Sequence, residues 1–223
     1  YDGGGGIYIS SDGENWEWTG PLLECPPTGL AFDPVNENIF YAATPGCKDG
    51  QFLKSTDSGQ TWDVSVTGLP SDYGDRGLIA VEPRSPNRIF LNGYYVSNDQ
   101  AATWEILPFP ENVWFSSLLV LDGSPQILYA GTGIGLFRSS DAGQTWQRAQ
   151  GSLGNLQIWS MAGVATEDGR HIVYAATIGG VEEVNEFTSS GLRESSDALV
   201  NAGVYRMTTF PSLFTIFLPL IGQ

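Results

Sequence analysis

A motif of seven or eight residues returns four times along the 223-residue chain, and its period constrains the fold more than any other feature. The copies are Ser10-Ser11-Asp12-Gly13-Glu14-Asn15-Trp16, Ser55-Thr56-Asp57-Ser58-Gly59-Gln60-Thr61-Trp62, Ser97-Asn98-Asp99-Gln100-Ala101-Ala102-Thr103-Trp104 and Ser139-Ser140-Asp141-Ala142-Gly143-Gln144-Thr145-Trp146. Their aspartates lie 45, 42 and 42 residues apart and their tryptophans 46, 42 and 42. A period in the low forties is the length of one four-stranded propeller blade. The chain therefore repeats one small unit.

The chemistry of each copy is that of a closed hairpin. A short Asp side chain accepts hydrogen bonds from nearby backbone N–H groups and holds a turn shut. Gly supplies a positive φ, and the Trp that follows offers a large ring to bury between sheets. Asp12, Asp57, Asp99 and Asp141, with Trp16, Trp62, Trp104 and Trp146, are thus expected to be structural, and the four rings to be equivalent and largely buried. Before the last three copies run paired apolar stretches, 29–34 with 38–43, 78–83 with 88–91 and 118–122 with 127–131, and a fourth pair, 161–164 with 171–176, follows the last copy. All are bounded by Pro, Asn, Asp and Gly, as an antiparallel meander requires.

The four copies resemble the Asp-box (BNR) repeat, Ser-x-Asp-x-Gly-x-Thr-Trp, of sialidases, xyloglucanases, sortilin-type receptors and photosystem II assembly factors. The second and fourth copies match throughout; the first is one residue shorter and the third has Ala101 in place of Gly. The resemblance implies an all-β propeller of four-stranded antiparallel blades. Repeats are expected around residues 7–18, 28–65, 77–107, 116–148 and 159–212, which makes four full blades and one half blade within a domain of residues 1–212. Residues 213–223 are an apolar outer strand or tail. A segment rich in Glu, Ser and Asn at 179–201 interrupts the last blade, with a short helix expected near 195–200. A half blade at the start exposes a strand edge, so an upstream segment or a partner chain is expected to complete the propeller; closure by the tail is the rival.

Composition excludes several functions. Ten basic against 25 acidic residues give a net charge of −15, which argues against a nucleic-acid partner. No run of 18 apolar residues exists, so no membrane-spanning helix is expected. A single histidine, His171, excludes a His-rich metal site, and no cofactor is expected. Chain direction places Cys25, ahead of an inner strand, and Cys47, between second and third strands, on one face. A disulfide between them is expected, which implies an oxidising compartment; the alternative is two thiols.

That same face gathers Asp49, Asp72, Asp75, Glu182 and Glu183 around Tyr73, Phe109 and Trp114. Rings among carboxylates suit a glycan, a peptide or a cationic partner, and a solvated acidic rim is the plainer reading. The resemblance leaves two functions open. The first is a non-catalytic exported module, secreted, periplasmic or at the cell surface, that binds or scaffolds a protein or glycan. The alternative is a sialidase- or xyloglucanase-like glycoside hydrolase using loop carboxylates. The arginine-bearing sialidase motif is missing, and the loops 43–46, 131–135 and 176–180 lack the Asp found in one xyloglucanase loop. The binding module is the expected reading.

Overall fold

A computed structural model describes residues 5–23, 26–45, 50–71, 73–74, 77–110, 112–121, 127–166, 171–178, 203–210 and 213–217. Apart from one turn of 3-10 helix at Ser152–Gly154, the regular elements among them are strands. In chain order these are β1 (Gly5–Ile9), β2 (Glu17–Leu23), β3 (Gly29–Phe32), β4 (Phe40–Thr44), β5 (Gln51–Ser55), β6 (Asp63–Val64), β7 (Ile79–Val81), β8 (Ile89–Leu91) and β9 (Tyr95–Ser97). They continue as β10 (Glu105–Ile106), β11 (Phe115–Leu121), β12 (Ile127–Thr132), β13 (Gly135–Ser139), β14 (Gln147–Arg148), β15 (Gln157–Ala165), β16 (His171–Ile178), β17 (Gly203–Phe210) and β18 (Leu213–Phe217).

The strands form a two-stranded sheet, β1-β2, and four antiparallel meanders, β3 to β6, β7 to β10, β11 to β14 and β15 to β18. This is the expected set of four full units and one half unit. The apolar segment near the C-terminus is the outer strand of the last sheet, paired Arg206↔Phe217 through Phe210↔Leu213. The pair Cys25 and Cys47, and the helix expected near 195–200, lie outside the described residues.

The chain divides into two units, Tyr1–Pro108 and Phe109–Gln223. In the first, Tyr41, Ala43 and Phe52 of one sheet pack on Ile89 and Leu91 of the next. In the second, Tyr129 and Leu136 pack on Ile158, Val173 and Ala175. Alternation explains both cores: odd residues of β4 face one neighbour and Ala42, with Leu53, faces the other, toward Ile7. At Gly135, φ is +145°, and a Cβ there would run into the Gly154 carbonyl, so only glycine lets this hairpin meet the 3-10 turn.

The tryptophans are not equivalent. Trp104 is 4% and Trp146 9% exposed, Trp62 is half-buried and Trp16 is 62% exposed. The expectation of four buried rings fails at Trp16 for a physical reason. Trp104 leans back on the preceding sheet, its ring edge-on to Phe52 at 4.7 Å and its Nε1–H donating to the Ser65 carbonyl at 3.3 Å. Trp62 likewise joins a cluster with Ile7 of the preceding sheet. Trp16 stands in the first sheet and has no preceding sheet among the described residues.

Candidate functional site

The four hairpins share one bracing scheme. In the second, Asp57 Oδ1 accepts from the Ser55 hydroxyl and the Thr61 N–H, both at 2.8 Å, and Oδ2 accepts from the Thr61 hydroxyl at 2.6 Å. The Ser55 oxygen in turn accepts from the Gly59 N–H at 2.8 Å. Asp99 with Ser97 and Thr103, and Asp141 with Ser139 and Thr145, repeat this pattern. In the shortened first copy Asn15 replaces the Thr, giving Asp12 its backbone N–H at 2.8 Å and its side-chain amide at 2.6 Å.

Donors aimed at a carboxylate favour its charged form. The Thr61 hydroxyl and N–H, then Ser55, lower Asp57 to about 2. Asp12, held mainly by the Asn15 N–H, and Asp99, held mainly by Thr103, are also lowered. Burial pushes Asp141 up, but Thr145 and Ser139 together outweigh it and it too ends lowered. Both carboxylate oxygens of these acids accept hydrogen bonds within their own turns. They are braces.

Trp114 and Trp159 offer the chemistry of a binding site. Trp114 immediately precedes β11 and Trp159 is the third residue of β15, so both stand near the starts of adjacent inner strands. The register of each strand slips there, between Phe115 and Ser117 and between Ile158 and Ser160, so Trp159 is the extra residue of a bulge. A bulge re-aims its side chain. The two indoles lie edge to face, centroids 5.9 Å apart at 63°, and are 41% and 42% exposed.

The platform is braced from below and from the side. Trp114 lies over Gly133, where a Cβ would collide with the indole, and its carbonyl accepts from the Gly133 N–H at 3.3 Å. The Ser116 hydroxyl, at the equivalent bulge, lies between the Gly131 carbonyl at 2.9 Å and that of Ile158, which share its single proton. The Met161 N–H donates to the Ser117 hydroxyl at 3.1 Å. Two serines thus tie the strand carrying one tryptophan to the strand carrying the other.

Of the residues proposed from sequence for the binding face, Tyr73, Phe109 and Trp114 are among the described ones, and they differ in burial. Trp114 is on the surface as described. Tyr73 is buried, its hydroxyl donating to the Gln51 carbonyl at 2.5 Å and raised by burial to about 12. Phe109 belongs to a ring cluster, 4.8 Å from Phe115, 5.0 Å from Phe137 and 5.1 Å from Trp146. Asp49, Asp72, Asp75, Glu182 and Glu183 lie outside the described residues. Trp159 was missed because the inner strand was read as starting at Met161. The available signal was repeat alignment: Phe115-Ser116-Ser117 corresponds to Ile158-Trp159-Ser160, with Trp in place of Ser.

Among solved structures, the chain superposes on the GH74 xyloglucanase from Xanthomonas campestris with a TM-score of 0.64 at 19% identity, covering 97% of this chain and 35% of that one. An ancestral GH74 enzyme gives 0.63 at 20% identity, covering 97% and 28%. The fold is of the β-propeller class. In this propeller the inner strands are β3, β7, β11 and β15, which places both tryptophans on inner strands or at their mouths.

In sequence, the propeller is 30% identical over 148 residues to a xyloglucanase of Acetivibrio thermocellus, 55% of this chain and 17% of the relative. It is 24% identical over 143 residues to an oligoxyloglucan-reducing end-specific xyloglucanase of Emericella nidulans, 56% of this chain and 18% of the relative. The chain thus matches less than a fifth of the length of either curated relative. No family model matches.

Proposed function

We propose that this chain is part of a glycoside hydrolase-type propeller of the xyloglucanase kind, and that Trp114 and Trp159 grip the polysaccharide. The pair itself carries the reading: two half-exposed indoles fixed edge to face at 5.9 Å by a bulge, a glycine and two serines. A pyranose with equatorial hydroxyls presents an apolar face of C–H groups. A rigid indole covers that face at small entropic cost, and a second indole set at an angle fixes the sugar's orientation. Identity of 30% to a xyloglucanase over 148 residues favours a polysaccharide over a protein ligand and a hydrolase over the pure scaffold expected from sequence.

Hydrolysis of a glycosidic bond needs two carboxyl groups flanking it. Asp49, Asp72, Asp75, Glu182 and Glu183 are the loop acids the reading draws on. With it go an exported location, Asp-box identity for the four hairpins, and a Cys25–Cys47 disulfide. Titration of tryptophan fluorescence with xyloglucan oligosaccharides tests the grip. Trp114→Ala and Trp159→Ala are each expected to weaken binding about tenfold, the equivalent of about 1.4 kcal/mol. Absence of a saturable response in the native chain refutes it. Reducing-end release from xyloglucan tests the hydrolytic half separately.

A further inference from the structure

The chain contains a single Asn-Gly pair, Asn92-Gly93, in the turn between β8 and β9. Asn92 has a φ of +53° and Gly93 one of +72°. A tight hairpin asks this left-handed geometry of both turn residues, and Asn and Gly adopt it most readily. Asn-Gly is also among the least durable links of a polypeptide in water, because no side chain on Gly screens its nitrogen from the Asn amide.

The fold holds both ends of that side chain. The Asn92 N–H donates to the Leu78 carbonyl at 2.9 Å, and the Leu78 N–H donates to Asn92 Oδ1 at 2.9 Å. The side chain thus stands in for a main-chain carbonyl where the chain leaves the ladder, and it adds a rung to the β7-β8 pair beyond Ile79↔Leu91. Nδ2 donates to the Tyr73 carbonyl at 2.9 Å, and Tyr73 is pinned in turn by its hydroxyl on the Gln51 carbonyl. Asn92 is 6% exposed. With Oδ1 and Nδ2 both bonded to the segment ahead of β7, Cγ is held away from the Gly93 nitrogen.

We propose that Asn92 is a deamidation site that the folded chain keeps closed, and that its conversion removes the extra rung permanently. In the opened chain the Gly93 nitrogen gives up its proton and attacks Asn92 Cγ. The new N–C bond closes a succinimide ring as the Cγ–Nδ2 bond breaks, and Nδ2 leaves as ammonia. Water then adds to either ring carbonyl and opens the ring to aspartate or isoaspartate. Aspartate keeps an acceptor for the Leu78 N–H but sets a charge with no donor against the Tyr73 carbonyl. Isoaspartate lengthens the main chain by a methylene and shifts the turn out of register with β7. Either product opposes return to the fold, so an opening that lasts long enough is recorded in the chain.

The test is peptide mapping by tandem mass spectrometry of the 223-residue chain, aged in mildly alkaline buffer and in parallel in strong urea. In urea, Asn92 is expected to gain the mass of an amide turned acid faster than Asn87 or Asn98, whose next residues bear side chains. In buffer its conversion should be at least about a hundredfold slower, because it waits on an opening that buried, bonded groups make rare. Converted chain, separated by its added charge and returned to buffer, should melt at least about 5 °C below amide chain carried through the same urea, or fail to refold. A rate in buffer within about tenfold of that in urea overturns the protection. Equal rates at Asn87, Asn92 and Asn98 in urea overturn the chemistry, and equal melts of the two forms overturn the role of the rung.

Discussion

The Lys54 ammonium donates to the backbone carbonyl of Gln100 at 3.0 Å and approaches its Oε1 at 3.5 Å, so the third strand of one sheet holds the hairpin turn of the next. Gln100 sits at a φ of +57°, and the bond fixes its carbonyl in that unusual turn. Desolvation lowers the Lys54 pKa, and the nearby Asp33 and Asp99 carboxylates act against that. Asp33 is itself buried, with Oδ1 accepting from the Val35 and Asn36 N–H groups. Replacing Lys54 by Met keeps the aliphatic stem but removes the donor and leaves a buried carboxylate uncompensated. We expect a loss of about 2 kcal/mol in urea unfolding. A loss below about 0.5 kcal/mol would show that the tether contributes little.

Trp104 and Trp16 occupy the same place in the repeat but should respond differently to truncation. Trp104→Ala opens a cavity between two sheets and is expected to cost about 3–5 kcal/mol. Trp16→Ala removes an exposed ring and should change stability by less than about 0.5 kcal/mol at low protein concentration. Chemical denaturation of the two variants side by side decides this, and equal losses would contradict the packing described.

Ala101 stands where the second and fourth hairpins have glycine, at a φ of +69°. Its carbonyl accepts from the Ser65 hydroxyl and its methyl is fully buried. The left-handed conformation costs an L-residue about 1–2 kcal/mol, while burying one methyl contributes about 0.8 kcal/mol. The backbone strain therefore exceeds what the methyl contributes. Ala101→Gly should stabilise the chain by up to about 1 kcal/mol. A drop in melting temperature would mean that methyl packing outweighs strain.

The hairpin aspartates predict an acid transition. Asp57 has a folded pKa of about 2 against an ordinary value of 3.8. Its depressed value means that the charged form is favoured in the fold. The stability it contributes is present above about pH 4 and is lost as pH falls toward about 2. Asp12, Asp99 and Asp141 are shifted in the same direction and add to the slope. Melting temperature measured from about pH 5 to about pH 2 should fall steeply, and Asp57→Asn should flatten the profile in that window while lowering stability near pH 7.

Much of this fold was legible from residues alone because its defining contacts are local. Asp57 is closed by Ser55 and Thr61, within four residues of it, so the spacing of Ser, Asp, Gly, Thr and Trp carries the whole turn. Short apolar runs between those turns then have room only for a meander. The half sheet at the start and the outer-strand option for the last apolar segment followed from counting. The binding site was less legible. Trp114 stood out as an aromatic beside acids, but its partner Trp159 lies 45 residues away and is aimed by a bulge. Tyr73 carried the same surface signal as Trp114, yet a backbone carbonyl at Gln51 draws its hydroxyl inward.

By itself, then, the sequence determined what is settled within a few residues: the hairpins, their ionised aspartates and the succession of strands. Only the tertiary structure decided which of the repeated side chains are buried. Tyr41 and Tyr174 have the same register and the same flanking alanines, and Trp104 and Trp16 close equivalent hairpins. One of each pair is buried and the other exposed. Burial depends on a neighbouring sheet built from residues tens of positions away, and no local pattern encodes it.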